Sequence, residues 1–204
     1  MRVEKIVSNL FESNTFLLFE GDDCLIIDAG VDVKTITSFV GDKRVVGALL
    51  THGHYDHVYN IEEYKQAFNC PIYITKNGLK TAMDKKANYG ENFSIKNEQY
   101  FNVFDNDIKF KCGEFKIQAY LTPGHSPGGV CYLIGEHLFA GDTLFNGGIG
   151  RYDLAGSNKE DLIKSLVKLQ KIKFDILHSG HGEDSTYLEQ QRNINVYMHF
   201  LSKS

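Results

Sequence analysis

The sequence predicts an α/β protein of four layers, with two β-sheets face to face and helices on their outer sides. Three observations predict it. Short apolar runs that read as strands come first, then a helix, then strands again, and each half closes in strand–helix units. One run, Val45-Val46-Gly47-Ala48-Leu49-Leu50, is apolar at every position, as a strand buried on both faces requires. No linker, repeat or low-complexity stretch interrupts the 204 residues, so 1–204 reads as one domain with a core large enough to need no staples.

In chain order, 2–7, 15–20 and 24–28 read as strands, and Glu20-Gly21-Asp22-Asp23 is a hairpin signal between the last two. Asp28-Ala29-Gly30 reads equally well two ways. It is a strand ending in a turn with Gly30 at an unusual backbone angle, or Asp28 is a buried carboxylate that orients neighbouring loops. A helix is expected over 32–41, then the strand 45–50. After it, Val58, Ile61, Tyr64 and Phe68 recur at helical spacing. Pro71–Thr75 is a strand and 77–86 a short helix. Residues 87–106 lack periodicity and read as a long loop, whose Tyr89, Phe93, Tyr100 and Phe101 are expected to pack it onto the body rather than line a pocket.

Strands resume at 107–111, 115–121, Val130–Ile134 and His137–Ala140. Phe145 to Asp153 is glycine-rich but contains no GxGxxG fingerprint, so it is not read as a nucleotide site. Ser157-Asn158-Lys159-Glu160 is a capping box before a helix with Leu162, Leu166 and Leu169 on one face. Lys173–Leu177 reads as a strand and about 185–200 as a helix, with Thr186 and Glu189 at capping-box spacing.

Chemistry concentrates at strand exits. Thr51-His52-Gly53-His54-Tyr55-Asp56-His57 places three histidines and a carboxylate between a buried strand and a helix. Imidazole and carboxylate together suit zinc and other borderline divalent metals. A solvated His-rich loop or a capping cluster would be the bland explanation, but the same pattern recurs. Leu121-Thr122-Pro123-Gly124-His125-Ser126-Pro127-Gly128-Gly129 presents His125, Gly141-Asp142-Thr143 presents Asp142, and His178-Ser179-Gly180-His181-Gly182 presents His181. Of eight histidines, these five lie in loops after strands, whereas His137, His178 and His199 receive a structural reading.

The totals exclude several classes. Net charge is −4 at a pI of about 6.1, with no basic footprint for nucleic acid and no polybasic membrane patch. No apolar run has signal-peptide or membrane-spanning character, so a cytoplasmic protein is expected. Cys24, Cys70, Cys112 and Cys131 are scattered beside apolar runs and read as reduced, mostly buried thiols.

The set His52-x-His54-x-Asp56-His57 with His125, Asp142 and His181 resembles the metallo-β-lactamase fold superfamily, over nearly the whole chain from Asp28 onward. The resemblance implies a four-layer αββα sandwich of that type, with a two-metal site in the groove between the sheet edges. It implies that His52, His54 and His125 hold one ion, that Asp56, His57 and His181 hold the other, and that Asp142 bridges them. Two divalent ions are implied, zinc foremost, with iron or manganese tolerated by the same donors. Such ions bring bound water to a pKa near ~7, so a bridging hydroxide is the expected nucleophile and Asp56 the expected proton acceptor.

Gly141-Asp142-Thr143-Leu144-Phe145 and Gly147-Gly148-Ile149-Gly150-Arg151-Tyr152-Asp153 further resemble the glyoxalase II-like branch, as does the loop around His125. This implies a hydrolase of hydroxyacyl-glutathione-type thioesters, acting on a small molecule. The helical extension that supplies glutathione-binding residues in full-length glyoxalase II is not expected so soon after His181, so the likeness is to small bacterial members. Tyr152 stands where that branch usually has a small residue and is expected to narrow the pocket. Arg151 reads equally as a partner for an anionic substrate group and as one half of a buried ion pair with Asp153. The alternatives are a persulfide dioxygenase with one iron on His52, His125 and Asp142, a lactonase, and a metal-binding module without turnover.

Overall fold

A computed structural model describes residues 1–201. The first sheet runs β1 (Arg2–Val7), β2 (Asn14–Glu20), β3 (Asp23–Ile27), β4 (Arg44–Leu49), β5 (Ile72–Thr75) and β6 (Phe101–Phe104), hydrogen-bonded in that order. β1 to β3 are antiparallel, and β3 to β6 are parallel. The parallel steps are bridged by α1 (Val33–Val40), by α2 (Tyr55–Val58) and α3 (Ile61–Phe68), and by α4 (Lys76–Met83).

The second sheet contains β7 (Ile108–Cys112), β8 (Phe115–Leu121), β9 (Val130–Ile134), β10 (His137–Gly141), β13 (Ile176–Ser179) and β14 (Ser185–Thr186), in the order β14-β13-β10-β9-β8-β7. A two-stranded ribbon, β11 (Leu144–Phe145) and β12 (Gly148–Ile149), follows β10. α5 (Lys159–Leu169) and α6 (Tyr187–Leu201) complete the described chain.

The layers follow from the two-residue period of the strands. Along β2, Phe16 and Leu18 face one core while Leu17 and Phe19 face another. The inter-sheet core joins Phe16, Leu18, Leu25, Ile27 and Leu49 to Phe115, Ile117, Val130, Tyr132, Ile134 and Phe139. A second core packs Leu17, Ile26, Ala48 and Ile72 beneath Ile36, Ile61, Tyr64 and Leu79 of α1, α3 and α4. A third packs Cys131, Leu138 and Leu177 beneath Leu162, Leu166, Leu169 and Ile194 of α5 and α6. The order is therefore helices, sheet, sheet, helices, as expected. Each of these buried aliphatic side chains contributes roughly 1.5–3 kcal/mol by leaving water. Among the described residues no helix is long and apolar enough to cross a membrane.

Several elements differ from the sequence expectation. The helical run from Val58 to Phe68 breaks at Tyr59–Asn60 into α2 and α3, where the Asn60 side-chain amide donates to the carbonyls of Ala29 and Gly30. The segment 87–106 is not all loop: Phe101–Phe104 is the edge strand β6, too short and too exposed at Asn102 and Val103 to show a strand period. The strand expected at Lys173–Leu177 lies later, at Ile176–Ser179. The cap of α5 is Asn158, which accepts from the Asp161 amide at 2.9 Å, not Ser157. The Thr186–Glu189 box forms as expected, with Thr186 N donating to Glu189 Oε2 at 2.7 Å.

Candidate metal centre

Five strand ends converge on one spot. Asp28 follows β3, the His52–His57 segment follows β4, His125 lies between β8 and β9, Asp142 follows β10, and His181 follows β13. Backbone bonds stitch the two sheets together there. The Val130 amide donates to the Thr51 carbonyl at 2.9 Å and Asn14 to Gly180 at 2.7 Å, while the Gly180 amide holds to Gly141 at 2.8 Å within the second sheet.

The structure brings all seven predicted ligand residues together. Three overlapping groups each have ligand atoms within 4.8 Å of one another: His52, His54 and His125; His52, His57 and Asp142; and Asp56, His57 and His181. His125 Nε2 lies 3.0 Å from His54 Nδ1, and His57 Nε2 lies 3.3 Å from His181 Nε2. Asp142 faces His57, His125 and His181 at 3.4, 3.5 and 3.5 Å, which places it between the first and third groups. His137 and His178 instead pair with each other at 2.8 Å, and His178 with Asp184 at 2.9 Å. Neither they nor His199 belong to a potential metal group among the described residues.

The outer nitrogens show which ring nitrogens face inward. Thr51 Oγ1 donates to Asp28 Oδ2 at 2.8 Å, so toward His52 Nδ1, 3.1 Å away, it can only accept. His52 therefore carries its proton on Nδ1 and presents an unprotonated Nε2, which is buried without a partner. His57 Nδ1 donates to Asp28 Oδ2 at 2.8 Å, and His125 Nδ1 donates to the Arg151 carbonyl at 3.1 Å. Oxygen acceptors behind histidines fix their tautomer and orientation in metal sites. Asp142 Oδ1 is likewise buried without a hydrogen-bond partner. Lone pairs and carboxylates facing one another out of water are unfavourable unless a cation lies among them, so the donor set fits divalent metal.

Electrostatics split the cluster. Burial, then the neighbouring imidazoles, pushes His52 well below the usual histidine range, and burial brings His54 down to about 3. Burial also lowers His125. Burial opposes charge on His57 too, but Asp56, Asp142 and Asp28 outweigh it and raise that imidazole well above its ordinary value. For His181 burial is again overcome, by Asp142 and Asp56, and the group rises to about 9. Asp142, whose burial would raise it, is held down at about 2 chiefly by His57, and Asp56 is lowered by His57 and His181 against the same penalty.

Asp28 settles its two readings together. Its buried carboxylate accepts from the Thr51 amide at 2.7 Å as well as from Thr51 Oγ1 and His57. The left-handed residue of that turn is Asp28 itself, at φ 61°, not Gly30. Gly30 is required for another reason, because a Cβ there would lie 2.3 Å from the Asp56 carbonyl.

The remaining expectations fall at the rim. Arg151 and Asp153 do pair, Nε to Oδ1 and Nη2 to Oδ2 both at 2.9 Å, but in solvent rather than buried. The larger contribution of this segment is the Arg151 carbonyl behind His125. Sequence reasoning missed it, because a backbone acceptor carries no residue signature. Tyr152 is 39% exposed. Phe93, Tyr100 and Phe101 pack against the core as expected, whereas Tyr89 does not: its ring lies 5.2 Å from that of His54.

Comparison with known proteins agrees with this arrangement. The family model of the metallo-beta-lactamase superfamily matches residues 9–181. The probable metallo-hydrolase YqgX of Bacillus subtilis is 31% identical over 189 residues, which cover 88% of this chain and 90% of that protein. The probable polyketide biosynthesis zinc-dependent hydrolase BaeB of Bacillus velezensis is 30% identical, covering 88% of this chain and 77% of its own. Among solved structures, the BLEG-1 B3 metallo-beta-lactamase superposes with a TM-score of 0.87 at 26% identity, covering 97% of this chain and 99% of that one. TTHA1623, in a di-iron-bound form, superposes at 0.81 with 26% identity, covering 93% and 98%. By family match, by relatives and by layer order, the chain belongs to the metallo-beta-lactamase superfamily.

Proposed function

We infer that this protein is a two-metal hydrolase of thioesters, similar to hydroxyacylglutathione hydrolases, acting as a single domain on a small molecule. The observation that carries the metal reading is the overlap of the donor groups. His52, His54 and His125 would hold one divalent ion, Asp56, His57 and His181 a second, and Asp142, lying between them, would serve both. The names of relatives support metal-dependent hydrolysis, with zinc named for one and a di-iron form for another. The thioester reading rests on the likeness of the segments 122–128 and 141–153 to the glyoxalase II-like branch.

Bound there, two divalent ions would polarise an acyl carbonyl and lower the pKa of water toward ~7. The chain's own groups do the rest. Asp28 and the Arg151 carbonyl accept the Nδ1–H of His57 and His125 and so fix which ring nitrogen of each faces the site. Asp56, partly exposed beside His57 and His181, would receive at its carboxylate the proton left on the attacking oxygen. Arg151, whose carbonyl backs His125, and the neighbouring exposed Tyr152 are the residues read as meeting the thiol carrier.

The test is metal analysis coupled to a panel of S-lactoylglutathione, other thioesters, a lactone and glutathione persulfide. Metal-dependent thiol release supports the reading. One iron per chain with oxygen consumption on the persulfide would replace it with a dioxygenase, and full metal occupancy without turnover would leave a binding module. Asp142→Ala should lose both ions, whereas His199→Ala should leave metal content unchanged. Two ions retained in the first variant would remove Asp142 from its shared position.

A further inference from the structure

Tyr89 combines three features that mere packing does not require. Its φ is +61°, in the left-handed region that an aromatic residue enters only under constraint, and Glu91 nearby sits at +38°. The constraint is visible. Asn88 is fully buried, and its amide donates to the carbonyls of Ala82 and Phe93 at 3.1 and 3.0 Å, while its Oδ1 accepts from the Gly90 amide at 2.7 Å. The Asn88 carbonyl accepts from the Tyr55 amide at 2.8 Å, which ties the turn to the first residue of α2, between His54 and Asp56.

The strained turn delivers the Tyr89 ring edge-on to His54, with centroids 5.2 Å apart and planes at 83°. At the far end of the ring, the Tyr89 hydroxyl oxygen accepts from the Ala155 amide at 2.5 Å. Ala155 lies in the segment that also carries Arg151 and Asp153. The ring is thus held at both ends, by a locked turn on one side and by the opposite loop on the other. Yet the residue stays 43% exposed while its ring lies against a candidate metal-binding histidine.

We propose that Tyr89 is the specificity-determining residue of this site, a fixed roof over the His54 side that limits the bulk of the carbonyl- or carboxylate-bearing group admitted there. A ring free to swing would adapt to a larger group. A ring clasped to Ala155 excludes it, because yielding breaks a hydrogen bond and unlocks the turn. The inference rests on the metal reading above but not on the thioester reading.

The experiment uses the cobalt-loaded protein and follows its visible absorption while acetate or pivalate is titrated in. These are two carboxylates of similar basicity and different bulk. The wild type should bind acetate in preference to pivalate. Tyr89→Ala should shrink the ratio of their dissociation constants by about tenfold, the loss of roughly 1.4 kcal/mol of steric discrimination. Tyr89→Phe keeps the ring but releases it from Ala155, and should fall between the two. An unchanged ratio in Tyr89→Ala overturns the proposal, and so does an equal weakening of both ligands. Failure to take up cobalt would overturn the metal centre and this inference with it. Thioesters left intact by a protein that still discriminates the carboxylates would fail only the thioester reading.

Discussion

At the scale of single residues, the most consequential side chain is one that need not touch metal. The Asp28 carboxylate receives hydrogen bonds from a backbone amide, a hydroxyl and an imidazole, and through them sets how His52 and His57 point. Asp28→Asn keeps the size but replaces one acceptor oxygen by a donor. It should weaken metal binding by about 10–100-fold, the usual effect of losing a partner behind a ligand, read by competition with a chromophoric chelator. The raised imidazoles lead to a pH prediction whose sign is fixed. The facing carboxylates raise His57 and His181 and favour their protonated forms, whereas burial lowers His52, His54 and His125 and favours their neutral forms. An ion entering the Asp56–His57–His181 group must displace protons, so its affinity rises with pH and falls as pH drops. Metal addition in weak buffer at about pH 7.5 should acidify the solution, and titration at about pH 6 should lose that ion before the one on the three-histidine group. Equal pH dependence of both ions would contradict this split.

At the scale of elements, close approaches decide. A Cβ on Gly180 would sit 2.1 Å from Asp142 Oδ1 and 2.9 Å from the His57 ring. Gly180→Ala should therefore strip metal while leaving the far-UV circular dichroism unchanged, since β13 ends one residue earlier. Legibility divides along the same line. Strands buried on both faces, such as β2 to β4, are plain in the sequence because their apolar runs have no other use. The candidate metal-holding residues are equally plain, since histidines after strands beside glycine are costly to place without function. β6 was not legible, because an edge strand with one wet face satisfies its backbone partly through water and needs no apolar run. The positive φ of Asp28 and Tyr89 was not legible either. Tertiary hydrogen bonds impose it, and no local preference announces it.

At the scale of the molecule, the centre ties the two halves together. The candidate ligands come from loops of both sheets, so an ion bound there would cross-link the sandwich along its open edge. Chelation should lower the melting temperature well beyond what a surface ion would do. Saturation at 100 times the dissociation constant corresponds to about 2.7 kcal/mol per site. Scanning calorimetry with and without a chelator reads this, and coincident transitions would mean that the ions do not bridge the sheets. Thr51 shows how tightly the bridge is drawn: its carbonyl binds β9, its amide and hydroxyl bind Asp28, and Gly141 of β10 has no room for a Cβ against it.

This concentration around Thr51 separates what can vary from what cannot. The candidate metal-holding side chains hang on strand ends wired to one another by backbone and by Asp28. Tyr89, Arg151 and Tyr152 hang on two loops that the wiring reaches mainly through Asn88 and the Arg151 carbonyl. A library that randomises 89 and 152 while keeping Asn88 and Gly150 should therefore return mostly folded, metal-replete proteins with altered appetites. The same scaffold becomes a chassis whose chemistry is inherited and whose taste is interchangeable.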